Sequence, residues 1–308
     1  MFQLYKKRDF SSYIGDTIAF FRGYWKNFLG NYITITGGMI FVICVLYFFI
    51  FRDLFGSLFN TRSGGVGYDI GYYFTENTGL FFALIVISLI VGFSLSLFSM
   101  AYPVAYMQLM ENSEKTKFSV SEIFDQMKRY LPKLIRFALL SLVVLLPLVI
   151  LAVVLSSVLI IVIVGVFLLL LLIPISVVLY YQMLFLYLHD DLGFFESLRA
   201  AWKMLFSKKF WHIIGSTTVM YFIISTIQSG ITMIPYIIIL VSLVLSANDG
   251  LNNISPIVSG LYIVAIALSF IFNNALLINQ GLIFYSFKEQ SEHTQAFSEI
   301  DLIGQNAE

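Results

Sequence analysis

The chain is 308 residues long, 59% hydrophobic and only 12% charged, with a mean hydropathy of +0.89 and a formal net charge of zero. Water-soluble domains carry about a quarter of their residues as Asp, Glu, Lys or Arg, so this composition excludes a soluble fold and leaves little room for a second, soluble domain. The single cysteine, Cys44, sits inside an apolar run, makes no intrachain disulfide and carries no information about redox compartment.

Residues 1–10 are basic, like the start of a secretory signal, but the stretch that follows is amphipathic and carries Asp16, Arg22 and Lys26. No cleavable signal is expected. In that stretch Ile14, Ile18, Phe21, Trp25 and Phe28 follow one another at steps of 4, 3, 4 and 3, which is one face of a helix. Ser12 is placed to cap it, with Asp16 in the first turn. A bilayer core about 30 Å thick takes roughly 20 apolar residues to cross as a helix. Residues 31–51 are the first such run and residues 80–110 the second, with Pro103 near its far end. Between them, Ser63-Gly64-Gly65-Val66-Gly67 lacks the Gly-Lys-Ser/Thr that a phosphate-cradling loop requires. The segment 52–79 therefore reads as a flexible outer loop, with Tyr68, Tyr72, Tyr73 and Phe74 resting on the bilayer surface.

A second basic segment begins near Phe118. Val120, Ile123, Phe124, Met127, Leu131 and Leu134 form one helical stripe, while Glu122, Asp125, Gln126, Arg129 and Lys133 populate the other faces. Ser119 with Glu122 predicts a capping box, Phe118 with Ile123 a hydrophobic staple, and Pro132 permits a bend before the next span. From 137 to 188 there is no Asp, Glu, Lys, Arg or His at any of 52 positions. One helix of that length would run about 78 Å, too long for a single crossing. Two crossings with a turn between Ser156 and Gly165 are predicted. The third segment begins near Gly193 and places Phe195, Leu198, Trp202 and Leu205 on one face. Glu196 comes early and Lys203, Lys208 and Lys209 late, the polarity a helix dipole favours. Residues 213–245 and 257–287 supply the fifth and sixth spans, separated by the turn-rich residues 246–253.

Sixteen of the 18 lysines and arginines fall in or beside these three segments, at the N-terminus or at Lys288, against Arg52 and Arg62 on the other side. The positive-inside rule puts both termini in the cytoplasm. Aligning Arg22, Lys128 and Lys203 brings Phe21, Met127 and Trp202 together. The expected fold is an all-α integral membrane protein. Its six transmembrane helices make three repeats, about 10–110, 118–188 and 193–287, each an interfacial amphipathic helix plus a transmembrane hairpin. Residues 1–288 form a single membrane domain and 289–308 a flexible cytoplasmic tail.

The candidate interfacial lipid contacts are Arg22, Trp25, Lys26, Lys128, Arg129, Trp202 and Lys203, with cations toward anionic headgroups and rings at the acyl boundary. The competing reading packs the three stripes on the floor of the bundle as ordinary connectors. Inside the spans no charge lies near the middle of a run, and the polar candidates are the amides Gln182, Gln228, Asn273 and Asn274. They serve as interhelical glue or line a polar cavity, and glue is the commoner use. Pro147, Pro174 and Pro235 fall within spans and read as kinks. The ionisable cluster His189-Asp190-Asp191 with Glu196 reads as a solvated span end, and His212 beside Trp211 as an interface anchor. No catalytic, metal or cofactor signature is present.

The run Glu196-Ser197-Leu198-Arg199-Ala200-Ala201-Trp202-Lys203, leading through Phe210-Trp211-His212 into Ile213, resembles a class of bacterial membrane proteins. That class includes the membrane domain attached to some glycerophosphodiester phosphodiesterases and related stand-alone proteins. The resemblance covers roughly residues 10–287 in layout and implies the six-span fold in a bacterial inner membrane. It does not imply hydrolase activity, because the catalytic barrel with its His and Glu signatures is missing. The expected function is that of a non-enzymatic inner-membrane scaffold or accessory subunit of an envelope complex, the alternative being a transporter or exporter of a lipid or small amphipathic solute. Expected partners are membrane lipids and a membrane protein or a second copy of the chain; neither a nucleic acid nor a cofactor is expected.

Overall fold

The computed structural model describes residues 2–59, 78–113, 115–159, 164–245 and 255–292. Its helices, in order, are α1 (Phe10–Phe59), α2 (Thr78–Glu111), α3 (Val120–Val158), α4 (Val164–His189), α5 (Phe194–Leu205), α6 (Phe210–Leu245) and α7 (Ser255–Glu292). No strand occurs among the described residues. Six of these helices, all but α5, are long and apolar enough to cross a membrane, so this is an all-α, multi-pass membrane protein. The gap between α3 and α4 falls inside the predicted turn window. The glycine loop at 63–67, the aromatic residues 68–74 and the turn at 246–253 lie outside the described residues.

Two of the three amphipathic segments are not separate helices. α1 is continuous over 50 residues, about 75 Å at 1.5 Å per residue. α3 is continuous over 39, about 59 Å, and passes through Pro132 without a break. Their amphipathic parts are extensions of the first and third spans, because nothing between segment and span stops the helix. The third segment does stand alone as α5. Before it, Asp191 turns the chain in the left-handed region at φ 59°, a conformation Asp tolerates better than most residues. After it, the Phe210 N–H donates to the Ser207 carbonyl at 3.0 Å and closes a turn.

The caps follow local chemistry. Ser119 and Glu122 form the predicted box, with Ser119 N–H donating to Glu122 Oε2 at 2.8 Å and Glu122 N–H to Ser119 Oγ at 3.3 Å. At α1 the cap is Asp9 and not Ser12: the Ser12 N–H donates to Asp9 Oδ1 at 2.9 Å. An ionised carboxylate suits the positive end of the helix better than a hydroxyl, and the hydrogen bonds from Ser12 hold Asp9 down at about 2. At the other end α7 runs on to Glu292, with Glu289 buried, so the helix continues past the predicted start of the tail; residues 293–308 lie outside the described residues.

The chain divides into one compact unit of Met1–Asn31, Met100–Ile223 and Asn274–Glu308, and a second of Tyr32–Ser99 and Ile224–Asn273. In unit 1 the buried rings of Phe28, Tyr102 and Tyr106 meet edge to face at 5.0 Å, and Phe118 meets Tyr106 at 5.2 Å. Asn27 pins the chain ahead of α3, donating to the Phe118 carbonyl at 3.0 Å and accepting from its N–H at 3.1 Å. The irregular N-terminal segment, residues 2–9, folds back here. The buried Arg8 guanidinium donates to Leu4 O at 2.7 Å, Gln3 O at 2.6 Å and Asp16 Oδ2 at 2.9 Å. Burial lowers the Arg8 pKa, against the opposing pull of Asp16. Gly281 is required by close approach, since a Cβ there would run into the Met107 sulfur and lie 2.9 Å from the Phe185 ring.

Unit 2 is held differently. The Tyr32 hydroxyl lies 2.9 Å from Ser99 Oγ and donates to Phe270 O at 3.3 Å. Tyr262 meets Phe51 at 6.0 Å and Tyr236 at 5.6 Å. Phe41, Phe82, Leu89 and Leu240 point outward, as lipid-facing side chains do.

Candidate functional site

The strongest ionic cluster lies in unit 1, where α4 ends. His189 Nε2 is 2.6 Å from Glu111 Oε2, and His189 Nδ1 is 2.7 Å from Asp190 Oδ1. Tyr5 donates to Glu111 Oε1 at 2.6 Å and Tyr285 to Glu111 Oε2 at 2.9 Å. Lys288 donates to Asp190 Oδ1 at 2.6 Å, with its ammonium 5.4 Å from the centre of the Phe284 ring. Burial alone would raise the Asp190 pKa, but the hydrogen bonds from His189 and Lys288 outweigh it and hold Asp190 below its ordinary value. The cluster joins the N-terminal segment to α2, α4 and α7.

Most of its polar atoms are engaged with one another. Both ring nitrogens of His189 face carboxylates, an arrangement that the doubly protonated imidazolium satisfies. Both Glu111 oxygens accept hydrogen bonds, and Asp190 accepts its two through Oδ1. Among the described residues no group of three or more His, Cys, Asp and Glu side chains is placed to hold a metal ion. Of the cluster read from the sequence, only His189 and Asp190 take part. Asp191 pairs with Lys133, and Glu196 accepts from the Gly193 N–H at 3.1 Å as a helix-start contact. Sequence reasoning missed Glu111, Tyr5, Tyr285 and Lys288. The available signal was a lone acid, Glu111, closing an apolar run on the same side as His189.

A second polar layer in unit 1 is made of buried amides. Gln182 Nε2 donates to Gln280 O at 2.9 Å and Gln280 Oε1 at 3.1 Å. Gln280 Nε2 donates to Thr217 Oγ1 at 2.9 Å, and Asn279 Nδ2 to Thr17 Oγ1 at 3.2 Å. This is interhelical glue between α4, α6 and α7, and between α1 and α7. Asn274 is buried, whereas its neighbour Asn273 is exposed.

The amides of unit 2 are placed otherwise. Gln228 lies near the midpoint of the α6 span, Phe210–Val241, and is half-buried; Thr226, Ser229 and Gly230 beside it are exposed. Asn273 lies at the midpoint of the α7 span, Pro256–Ser291, and is exposed. Among the described residues neither side-chain amide makes a hydrogen bond.

The predicted interfacial residues separate into two kinds. Trp25 is 50% exposed, with Lys26 Nζ 5.9 Å from its ring centre, and Arg22 is exposed beside them. Trp202 is 54% exposed and Lys203 is exposed. In the second segment the stripe turns inward, with Ile123, Met127 and Leu134 buried. There Lys128 and Arg129 are exposed, but Lys128 pairs with Asp125 at 3.5 Å and lies 4.8 Å from the Phe124 ring centre. No family model, curated protein or solved structure matches this chain.

Proposed function

We propose that this chain is a non-enzymatic, multi-pass protein of a bacterial inner membrane, with both termini cytoplasmic, acting as a scaffold or accessory subunit that binds another transmembrane helix. The observation that carries the reading is the pair of mid-span amides in unit 2, the exposed Asn273 and the half-buried Gln228, whose side chains make no hydrogen bond among the described residues. Hydrocarbon cannot satisfy an amide, and polar groups at membrane depth are found where they meet another helix or water. The exposed Thr226, Ser229 and Gly230 are small enough to let a second helix approach closely.

The alternative function, a transporter or exporter of a lipid or small amphipathic solute, uses the same amides as the lining of a wet path. A cysteine in place of Ser229 separates the two. On the scaffold reading, oxidation in native membranes links Ser229→Cys to a second chain, and the Gln228→Leu/Asn273→Leu background abolishes the link. If Ser229→Cys instead stays monomeric and reacts rapidly with a membrane-impermeant thiol reagent, the scaffold reading fails and the transport reading stands.

A further inference from the structure

The short helix α5 buries Phe194, Ser197, Ala201, Met204 and Leu205 against the protein, yet it leaves two large rings outside: Phe195 is 65% and Trp202 54% exposed. The outward aromatic surface continues past the helix with Phe206 at 51% and Trp211 at 68%. Trp202, Phe206 and Trp211 are joined through the half-buried Phe210: Trp202 to Phe206 at 4.7 Å, Phe206 stacked on Phe210 at 5.4 Å, and Phe210 to Trp211 at 5.1 Å. A short connector bathed in water would not hold four large rings outside beside its charged residues. Position constrains the environment too, because α5 links the end of one span at His189 to the start of the next at Phe210. It lies at the level where a membrane meets water.

Of the four cations of this segment, Lys209 donates to the Arg8 carbonyl at 2.9 Å, while Arg199, Lys203 and Lys208 are exposed and make no ion pair among the described residues. In the neighbouring segment three of six cations are held by acids, Lys115 by Glu122, Lys128 by Asp125 and Lys133 by Asp191. Three exposed cations beside four outward rings complement a surface that is apolar below and anionic above.

We propose that the outward face of α5 and the first turn of α6 docks onto the anionic phospholipid headgroups of its leaflet, the rings entering the acyl boundary and Arg199, Lys203 and Lys208 contacting phosphates. The inference rests on the membrane reading of the chain and is independent of any helix partner at Gln228.

The test uses the full-length protein carrying Trp25→Phe, so that emission reports Trp202 and Trp211. It is reconstituted into vesicles of phosphatidylcholine or phosphatidylglycerol brominated near the headgroup end of the acyl chains. Quenching by both lipids is expected, with phosphatidylglycerol favoured at equal mole fraction. The variant Arg199→Gln/Lys203→Gln/Lys208→Gln should lose that preference, by roughly fivefold per charge at about 1 kcal/mol each, while keeping its quenching by phosphatidylcholine. A control with the same loss of charge at lysines held in ion pairs, Lys6→Gln/Lys115→Gln/Lys133→Gln, should keep the preference. No quenching by either lipid, no preference, or a preference that survives the first variant and is lost in the control would each overturn the proposal.

Discussion

The two packing units place the same side-chain chemistry differently. In unit 1 the amide nitrogens of Gln182, Asn279 and Gln280 are buried and donate to one another's oxygens, to Thr17 and Thr217 or to backbone carbonyls, with Gln182 Oε1 left without a partner among the described residues, and the charges of Glu111, His189, Asp190 and Lys288 neutralise one another. In unit 2, at the middle of their spans, Asn273 is exposed and Gln228 half-buried. A polar group in a low-dielectric medium is worth having only when its partners are fixed, and costly when they are absent. The difference separates a part whose amides bond to neighbouring helices from a part whose mid-span amides make no side-chain hydrogen bond among the described residues.

The most severe way to break that contrast is to open the ionic cluster. His189→Leu leaves Glu111 and Asp190 facing each other without the imidazolium, and removing one member of a buried ion pair costs about 3–5 kcal/mol. The melting temperature of the purified protein in lipid nanodiscs should fall accordingly. Unchanged melting would mean the cluster is not a lock. A packing test comes next. Gly281→Leu pushes a side chain into Met107 and Phe185, and overpacking of this kind costs about 3 kcal/mol at its upper end. The same substitution at Gly230, where a Cβ meets nothing within 4 Å, should leave the melting temperature of the isolated protein unchanged.

Acid should act on unit 1 through Asp190. Its folded-state pKa lies below the unfolded value of about 3.9. Its contribution is therefore complete above that unfolded value and is lost as pH falls through the folded one. Asp190→Asn should flatten the decline in melting temperature below about pH 4. The exposed Asp9, also held down at about 2, keeps a residual slope.

How much of this was legible in the sequence follows from the range of each interaction. The spans and the Ser119–Glu122 box depend on neighbours within a few residues, and the one-dimensional pattern carries them. The continuity of α1 and α3 was missed because amphipathicity marks a change of surroundings and says nothing about whether the helix stops; only the third segment has a left-handed residue, Asp191, and a Ser207 turn around it. The inward stripe of α3 has the same spacing as the stripes that expose Trp25 and Trp202 while burying Phe28 and Leu205, so periodicity cannot tell which residues of a face meet protein. The His189 cluster draws on Tyr5, Glu111 and Lys288, from three distant parts of the chain, and nothing local announces their meeting. Gln182 and Gln228 likewise look alike in sequence; one donates to Gln280 and the other has no bonded neighbour among the described residues.

That last pair sharpens the comparison with the smallest effects. Gln280→Leu removes a donor to Thr217 and an acceptor from Gln182, and interhelical hydrogen bonds in membranes average somewhat under 1 kcal/mol, so a loss of about 1 kcal/mol is expected in nanodiscs. Gln228→Leu removes no bond within the chain and replaces an amide by a side chain that lipid solvates well. The isolated protein should melt unchanged or slightly higher, by a few tenths of a kcal/mol, while disulfide linkage through Ser229→Cys in native membranes disappears. If Gln228→Leu instead destabilises the isolated protein as much as Gln280→Leu does, the amide has an internal partner and the difference between the amides of the two units does not hold.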